Sequence, residues 1–199
     1  MAERAALIVV DMQVDFCPGG SLAVPEGDSI VPVINRYIDM FRDKGLPVIA
    51  SRDWHPPVTS HFSKFGGIWP PHCVQWSDGA RFHPGLRLPE GVIIISKGMD
   101  PDKDDYSALR ATLPSGTPVD DYLNQSGVTH LYICGLAADY CVKWTALDGL
   151  REQYRVTVLI DAVKGVDLKP GDTDRALEEI AAAGGELADL TDIERAFPG

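Results

Sequence analysis

The stretch that decides the fold is LYICGLAADYC, residues 131–141. Its apolar beginning is typical of a buried strand. A glycine and two alanines follow, and Cys141 stands where a helix is predicted to begin, with Asp139 as the predicted cap of that turn. The positive end of a helix dipole lowers the pKa of a thiol and favours the nucleophilic thiolate. The stretch therefore predicts a strand, a tight turn and a candidate catalytic cysteine.

Similar apolar runs recur along the chain, each short, β-branched and nearly continuous rather than alternating. Such runs are typical of parallel strands that are buried on both faces. The predicted strands are 5–10, 47–51, 92–96, 130–134 and 156–160, with a weaker sixth at 186–190. The helical patterns between them cover 28–42, 118–125, 138–153 and 171–183, with Asp28 and either Asp172 or Thr173 as N-caps. The alternation predicts an α/β fold with helices on both faces of a mostly parallel sheet of about six strands.

The length of 199 residues suits one domain, so we interpret 1–199 as a single domain. Two connections are longer than this fold requires. The first, 13–26, is rich in glycine and proline, and the second, 53–89, holds six prolines and three tryptophans. Long irregular loops in compact domains are usually functional. We therefore predict that both form walls of a pocket, the second as an insertion in the domain.

The charge balance limits the partners of the chain. With 18 basic and 29 acidic residues, the net charge is −11, which argues against nucleic acids and anionic membranes. No signal peptide or apolar run of about 20 residues is recognisable, so we expect a cytoplasmic protein. Its four cysteines are then expected to be reduced, and none forms a Cys-x-x-Cys pair.

Three residues with complementary chemistry follow predicted strands. They are Asp11, Lys97 and Cys141, and ligands of doubly wound sheets bind at these strand ends. Lys97 would stabilise a Cys141 thiolate, and Asp11 could accept and return the thiol proton. Cys141 would attack a carbonyl carbon, while the N–H groups of Ala137 and Cys141 hold the oxyanion. Each residue alone has a structural explanation, but their convergence favours catalysis.

The insertion contains a second group, of metal-ligand type. Asp53, His55 and His72 could bind one ion, with His61 as a further candidate. Imidazole and carboxylate ligands suit zinc, iron or manganese. The alternative is that these histidines are polar surface residues. We favour a metal site, because three of the chain's five histidines fall within 18 residues next to a carboxylate.

Aromatic residues on the same loops could enclose a planar substrate. Phe16, Trp69 and Tyr106 follow strand ends and are predicted to line the pocket. Trp54 and Trp76 are assigned to packing.

Six motifs spread along the chain resemble those of one family. They are VDMQVDF at 10–16, RDWH at 52–55, WPPHCV at 69–74, KG at 97–98, DYSA at 105–108 and GLAADYCV at 135–142. In this combination and order the chain resembles the nicotinamidases, which are isochorismatase-like hydrolases. The resemblance implies a three-layer αβα fold and an amidase that converts nicotinamide and water to nicotinate and ammonia in NAD salvage. Pyrazinamide is implied as a second substrate.

The resemblance also implies roles for the residues. It implies a cis peptide between Leu136 and Ala137 and one divalent ion, with zinc expected before iron or manganese. The fourth ligand is left open between His61, Ser60 and water. The implied catalytic triad is Asp11, Lys97 and Cys141, and the implied metal ligands are Asp53, His55 and His72.

Two alternatives remain open at this point. One is another amide or carbamoyl hydrolase of the same superfamily. The other is a non-catalytic metal or thiol redox protein, in which Cys17 and Cys73 would be partners of Cys141 or extra metal ligands. The expected partner is a small molecule, and a homo-oligomer is compatible with the sequence. The segment 99–105, dense in aspartate and lysine, is expected to affect closure over the pocket.

Overall fold

The computed structural model describes residues 4–196 and has one parallel six-stranded sheet at its centre. The strand order is β3-β2-β1-β4-β5-β6. The strands are β1 Ala5–Val10, β2 Val48–Asp53, β3 Ile93–Lys97, β4 His130–Leu136, β5 Arg155–Lys164 and β6 Glu186–Ala188. The α-helices are α1 Val31–Asp43, α2 Val119–Gln125, α3 Lys143–Arg151, α4 Asp172–Ala182 and α5 Leu190–Ala196. The predicted α/β fold is confirmed.

The continuous apolar character of the strands follows from burial on both faces of the sheet. On β1, Leu7 packs in the core that α1 covers, next to Ile34. Its neighbour Ile8 points the other way, into the core formed with α2 and α3, where Leu123 and Ala146 are buried. α5 lies on the α1 side and α4 on the opposite side. Helices thus cover both faces, which gives the three layers.

The strand order places a crevice at the carboxyl end of β1. The chain first adds β2 and β3 on one side of β1 and then crosses to β4 on the other. In open α/β sheets, ligands bind at such a switch in direction. The two long loops also meet there, since Gln13 forms an antiparallel bridge with Phe82. Within residues 4–196, no helix is long and apolar enough to cross a membrane.

The helix beginnings differ from the predictions. The pattern 138–153 contains a π-helical turn, Ala138–Val142, before α3 begins. α1 starts after a 3-10 turn, and neither α1 nor α4 has a side-chain N-cap, so Asp28 and Thr173 do not cap them. Gly171 occupies the N-cap of α4 in the left-handed conformation, and Asp172 lies inside the first turn, where it accepts the amide of Lys169.

Candidate active site and metal centre

Strands β1 and β3 and the turn after β4 meet at the buried ammonium of Lys97. Its Nζ lies 2.8 Å from Asp11 Oδ2 and 3.2 Å from Cys141 Sγ. It also pairs with Asp53, which is its partner in the register between β2 and β3. The structure therefore brings the three predicted catalytic residues together. Sequence reasoning did not anticipate the contact between Lys97 and the predicted metal ligand Asp53.

Ser51 on β2 positions the carboxylate of Asp11. Its hydroxyl donates to Asp11 Oδ1 at 2.7 Å. Asp11 has a φ of +46°, in the left-handed region that only a few per cent of non-glycine residues occupy. This conformation turns the side chain of Asp11 directly after β1 towards Lys97. Sequence reasoning missed Ser51, whose only signal was its place at the end of a predicted strand.

Burial dominates the electrostatics of this group. It raises the pKa of Asp11, although the Lys97 ammonium opposes the shift. Burial also raises the pKa of the Cys141 thiol well above its usual value; Lys97 lowers it and the carboxylates of Asp11 and Asp53 raise it further. The expectation of a lowered thiol pKa was wrong, because Cys141 is dehydrated and close to two carboxylates. A raised pKa favours the protonated thiol, so a neighbouring base would assist nucleophilic attack.

Three histidine side chains in the insertion form a compact cluster with the features of a metal centre. Nδ1 of His55 lies 3.0 Å from the Gly98 carbonyl, and Nδ1 of His72 lies 2.8 Å from that of Pro70. Each Nδ1 must therefore donate, which leaves an Nε2 lone pair. These Nε2 atoms face Asp53 Oδ2 at 3.4 and 3.8 Å, and that of His55 is buried without a hydrogen-bond partner. Lone pairs that face a carboxylate fit a cation between them.

His61 completes this cluster. One ring nitrogen from each of His55, His61 and His72 lies within 4.8 Å of the others, and the rings of His55 and His61 stack at 4.6 Å. The exposed Ser60 instead donates its hydroxyl to the Pro101 carbonyl at 3.0 Å. The geometry therefore favours His61 over Ser60 as a fourth protein ligand, and the donor set suits a divalent metal ion.

An aromatic cleft leads from the surface to Cys141. The predicted residues Phe16, Trp69 and Tyr106 line it, together with Leu22, Tyr140, Val166, Ala137, His61 and His72. The Trp69 indole N–H donates to the Tyr106 hydroxyl at 3.1 Å, which fixes both rings. Sequence reasoning missed Leu22, Tyr140 and Val166. Tyr140 could have been found from its place next to Cys141, whereas Val166 had no signal, because β5 extends four residues past its predicted end.

The turn before Cys141 has two notable features. The peptide between Leu136 and Ala137 is cis, as the resemblance implied. The Asp139 carboxylate accepts the amides of Val166 at 2.9 Å and Asp167 at 2.8 Å. Asp139 therefore ties the turn to the segment after β5, and the prediction that it caps its own turn was wrong.

The two tryptophans assigned to packing differ. Trp54 lies beneath the Arg52 guanidinium, 3.8 Å from the ring centroid. Trp76 is 84% exposed and touches only the edge of the Trp54 ring among the aromatic side chains described. The packing assignment is confirmed for Trp54 and wrong for Trp76.

The fold and this site define a hydrolase class. The Isochorismatase domain model matches residues 5–192, and the chain belongs to that family. It is 43% identical to the nicotinamidase of Escherichia coli, over 95% of this chain and 96% of that protein. It is 38% identical to the nicotinamidase/pyrazinamidase of Mycobacterium tuberculosis, over 92% and 97%. The resemblance to the nicotinamidases is thus confirmed, and the chain is an enzyme.

The same relationship is visible among solved structures. The pyrazinamidase of Pyrococcus horikoshii in complex with zinc superposes with a TM-score of 0.86 and 49% identity. The match covers 94% of this chain and 99% of that one. The zinc complex of this similar protein supports the binding of a divalent ion at the candidate metal centre.

Proposed function

We propose that the chain is a metal-dependent cysteine amidohydrolase that converts nicotinamide and water to nicotinate and ammonia. The observation that carries the proposal is the contact of Lys97 with both Asp11 and Cys141 at the base of an aromatic cleft. The names of the Escherichia coli and Mycobacterium tuberculosis relatives support nicotinamide as substrate. The name of the Mycobacterium tuberculosis relative, nicotinamidase/pyrazinamidase, also supports pyrazinamide as a second substrate.

The first half of the reaction forms a thioester. Asp11 accepts the thiol proton of Cys141, the sulfur attacks the carboxamide carbon, and a C–S bond forms. The amides of Ala137 and Cys141, both in the turn after β4, would hold the oxyanion. The raised pKa of the thiol supports this order, since it favours the protonated thiol, which a neighbouring base would assist. An Asp11 oxygen and Cys141 Sγ lie within 4.8 Å of each other.

The second half releases the products. The oxyanion collapses, the C–N bond breaks, and the nitrogen takes the proton from Asp11 to leave as ammonia. Water then attacks the thioester, giving one proton to Asp11, and the sulfur leaves and recovers that proton as the Cys141 thiol. The carboxylic acid that is released gives its remaining proton to solvent and leaves as nicotinate. Lys97 keeps its proton throughout, because Asp11 and Asp53 raise its pKa well above the usual value despite its burial.

The metal centre is proposed to hold zinc through Asp53, His55 and His72, with His61 as the fourth ligand. When bound, the ion would supply a Lewis acid for the ring nitrogen of the substrate. The contribution of the chain itself is to orient the ring. Phe16 and Trp69 stand on the walls of the cleft, where they can contact the faces of an aromatic ring and exclude water.

The test is the ratio of kcat/KM among amides, measured as ammonia release. Nicotinamide is expected to exceed benzamide, which has the same shape without the ring nitrogen, by at least about a hundredfold. Pyrazinamide, which keeps that nitrogen, is expected to be hydrolysed at a rate comparable to nicotinamide. Equal rates for benzamide and nicotinamide, or a preference for an aliphatic carbamoyl substrate, would contradict the proposal.

A further inference from the structure

The segment after β3 supports the metal loop from outside. Its Gly98 carbonyl accepts from His55, as described above. Three residues later, the Pro101 carbonyl accepts the amide of Ser60 at 2.8 Å and the hydroxyl of Thr59 at 3.1 Å. The backbone on the N-terminal side of His61 is therefore fixed to this segment, and the orientation of the His61 ring depends on what the ring itself contacts.

The outer nitrogen of that ring faces a carboxylate. Nδ1 of His61 lies 2.5 Å from Asp104 Oδ1. The corresponding nitrogens of His55 and His72 face backbone carbonyls, which carry no charge. Because a carboxylate only accepts, the proton of the neutral ring must lie on Nδ1. The lone pair is then on Nε2, the nitrogen available to the cluster.

The contact between His61 and Asp104 joins a buried side chain to an exposed one. The His61 side chain is 4% exposed, whereas that of Asp104 is 57% exposed. Among residues 4–196, the His61 ring also contacts aromatic and histidine rings, including the stacked His55. Ring stacking permits either flip of an imidazole, while a hydrogen bond to Nδ1 selects one. Asp104 thus determines which nitrogen faces the other ligands.

We propose that Asp104 is a positioning residue for the metal centre, which fixes the tautomer and orientation of His61 and increases the affinity for the ion. The inference rests on the proposed metal-dependent function. Outer partners of this kind orient a ligating histidine and raise its basicity. The segment 99–105 then supports the metal site through the Asp104 carboxylate as well as through the Pro101 carbonyl.

The experiment measures zinc affinity by competition with a chromophoric chelator, without reference to activity. Asp104→Ala is expected to weaken zinc binding about 10–100-fold. Asp104→Asn is expected to lose less, because the amide oxygen still accepts from Nδ1. The matched control is Asp102→Asn, an exposed carboxylate of the same segment, and it is expected to bind zinc as tightly as the wild type.

A double-mutant cycle then shows whether Asp104 acts through His61. In a His61→Ala background, Asp104→Ala is expected to cause no further loss of zinc affinity. An equal loss in both backgrounds, or no loss in the single variant, overturns the proposal and leaves the metal centre intact. A wild-type protein that binds no zinc overturns the proposed metal dependence as well, so the two failures are distinguishable. Circular dichroism of the metal-free variants verifies that each is folded.

Discussion

At the scale of single residues, Lys97 is shared between two carboxylates and a thiol. One ammonium faces the carboxyl groups of Asp11 and Asp53 as well as the thiol of Cys141. The electrostatic attraction of the Lys97 ammonium is therefore divided among these three groups. Burial raises the pKa of the Cys141 thiol, and the two carboxylates add to this shift against the opposing effect of Lys97. A raised thiol pKa is consistent with the proposed role of Asp11 as the proton acceptor.

Replacement of Cys141 is expected to remove the hydrolysis of nicotinamide without removing its binding. Cys141→Ala is expected to reduce ammonia release from nicotinamide by at least about 10⁴-fold, as for other covalent nucleophiles. Binding of nicotinamide, measured by calorimetry, is expected to stay within a fewfold of the wild type, because the cleft walls are unchanged. The control is Cys134→Ala, a buried cysteine of β4 outside the cleft, which is expected to retain turnover. Appreciable hydrolysis by Cys141→Ala would contradict the assignment.

Removal of the shared cation is expected to destabilise the fold. Lys97→Met leaves Asp11 and Asp53 buried beside each other without their counter-charge, which typically costs about 3–5 kcal/mol. The free energy of unfolding from urea denaturation measures the loss. The matched control is Lys103→Met, whose ion pair with Asp100 is exposed to solvent and is expected to contribute little to stability. Equal effects of the two substitutions would contradict the argument.

At the scale of elements, the sequence predicts the strands better than it predicts what joins them. β1 has the predicted bounds, because a strand buried on both faces is apolar at every position. The turn before α3 was missed, since its residues are compatible with an ordinary helix. It is π-helical, because the Ala137 carbonyl accepts the amide of Val142, five residues later. Nothing in the side chains indicates that wider spacing.

The candidate site likewise contains some residues that the sequence predicts and others that it does not. The histidines of the insertion could be predicted because their type carries metal chemistry at any position. Ser51 and Asp104 could not be predicted, because serine and aspartate are common residues. Only their positions in the fold bring them into contact with Asp11 and His61. The pairing of Asp53 with Lys97 depends on the register between β2 and β3. Continuously apolar strands specify that register poorly from sequence, because neither face is distinguished by polarity.

An ion-pair cluster on α3 gives a pH-dependent prediction for this element. Asp148 accepts from Arg110 at 3.0 Å and Arg151 at 2.8 Å. Burial raises the pKa of Asp148, but the hydrogen bonds with Arg110, Ser107 and Arg151 outweigh this effect, and the pKa lies below its usual value. Asp148→Asn is therefore expected to lose about 1–2 kcal/mol of stability at pH 7.

The sign of the pH dependence follows from the lowered pKa in the folded state. The stabilisation is complete above the unfolded-state pKa of about 3.9 and is lost as the pH falls through the folded-state value. The difference between wild type and Asp148→Asn, measured by urea denaturation, should thus be constant from about pH 5 to 7 and shrink below about pH 4. Glu178→Gln, an exposed position on α4, should show neither effect. A difference that persists unchanged at pH 3 would refute the ion-pair explanation.

At the scale of the whole molecule, Asp53 joins the catalytic group to the metal centre. It is the last residue of β2 and the first of the insertion. Its Oδ1 faces Lys97, and its Oδ2 faces His55 and His72. The strand end and the insertion thus share one carboxylate. Asp53 could therefore bind an ion held by the insertion while it pairs with Lys97.

This arrangement predicts that metal removal affects both stability and activity. Without an ion, the buried lone pairs of His55 and His72 face the Asp53 carboxylate without compensation. At zinc concentrations about 100 times Kd, binding is expected to stabilise the fold by about 2.7 kcal/mol, which corresponds to a Tm increase of roughly 5–11 °C. Calorimetry before and after treatment with a chelator measures the shift, and added zinc should restore both Tm and ammonia release. His72→Ala should show a much smaller zinc-dependent shift. A chelated protein with unchanged Tm and full activity would exclude a metal centre built on Asp53.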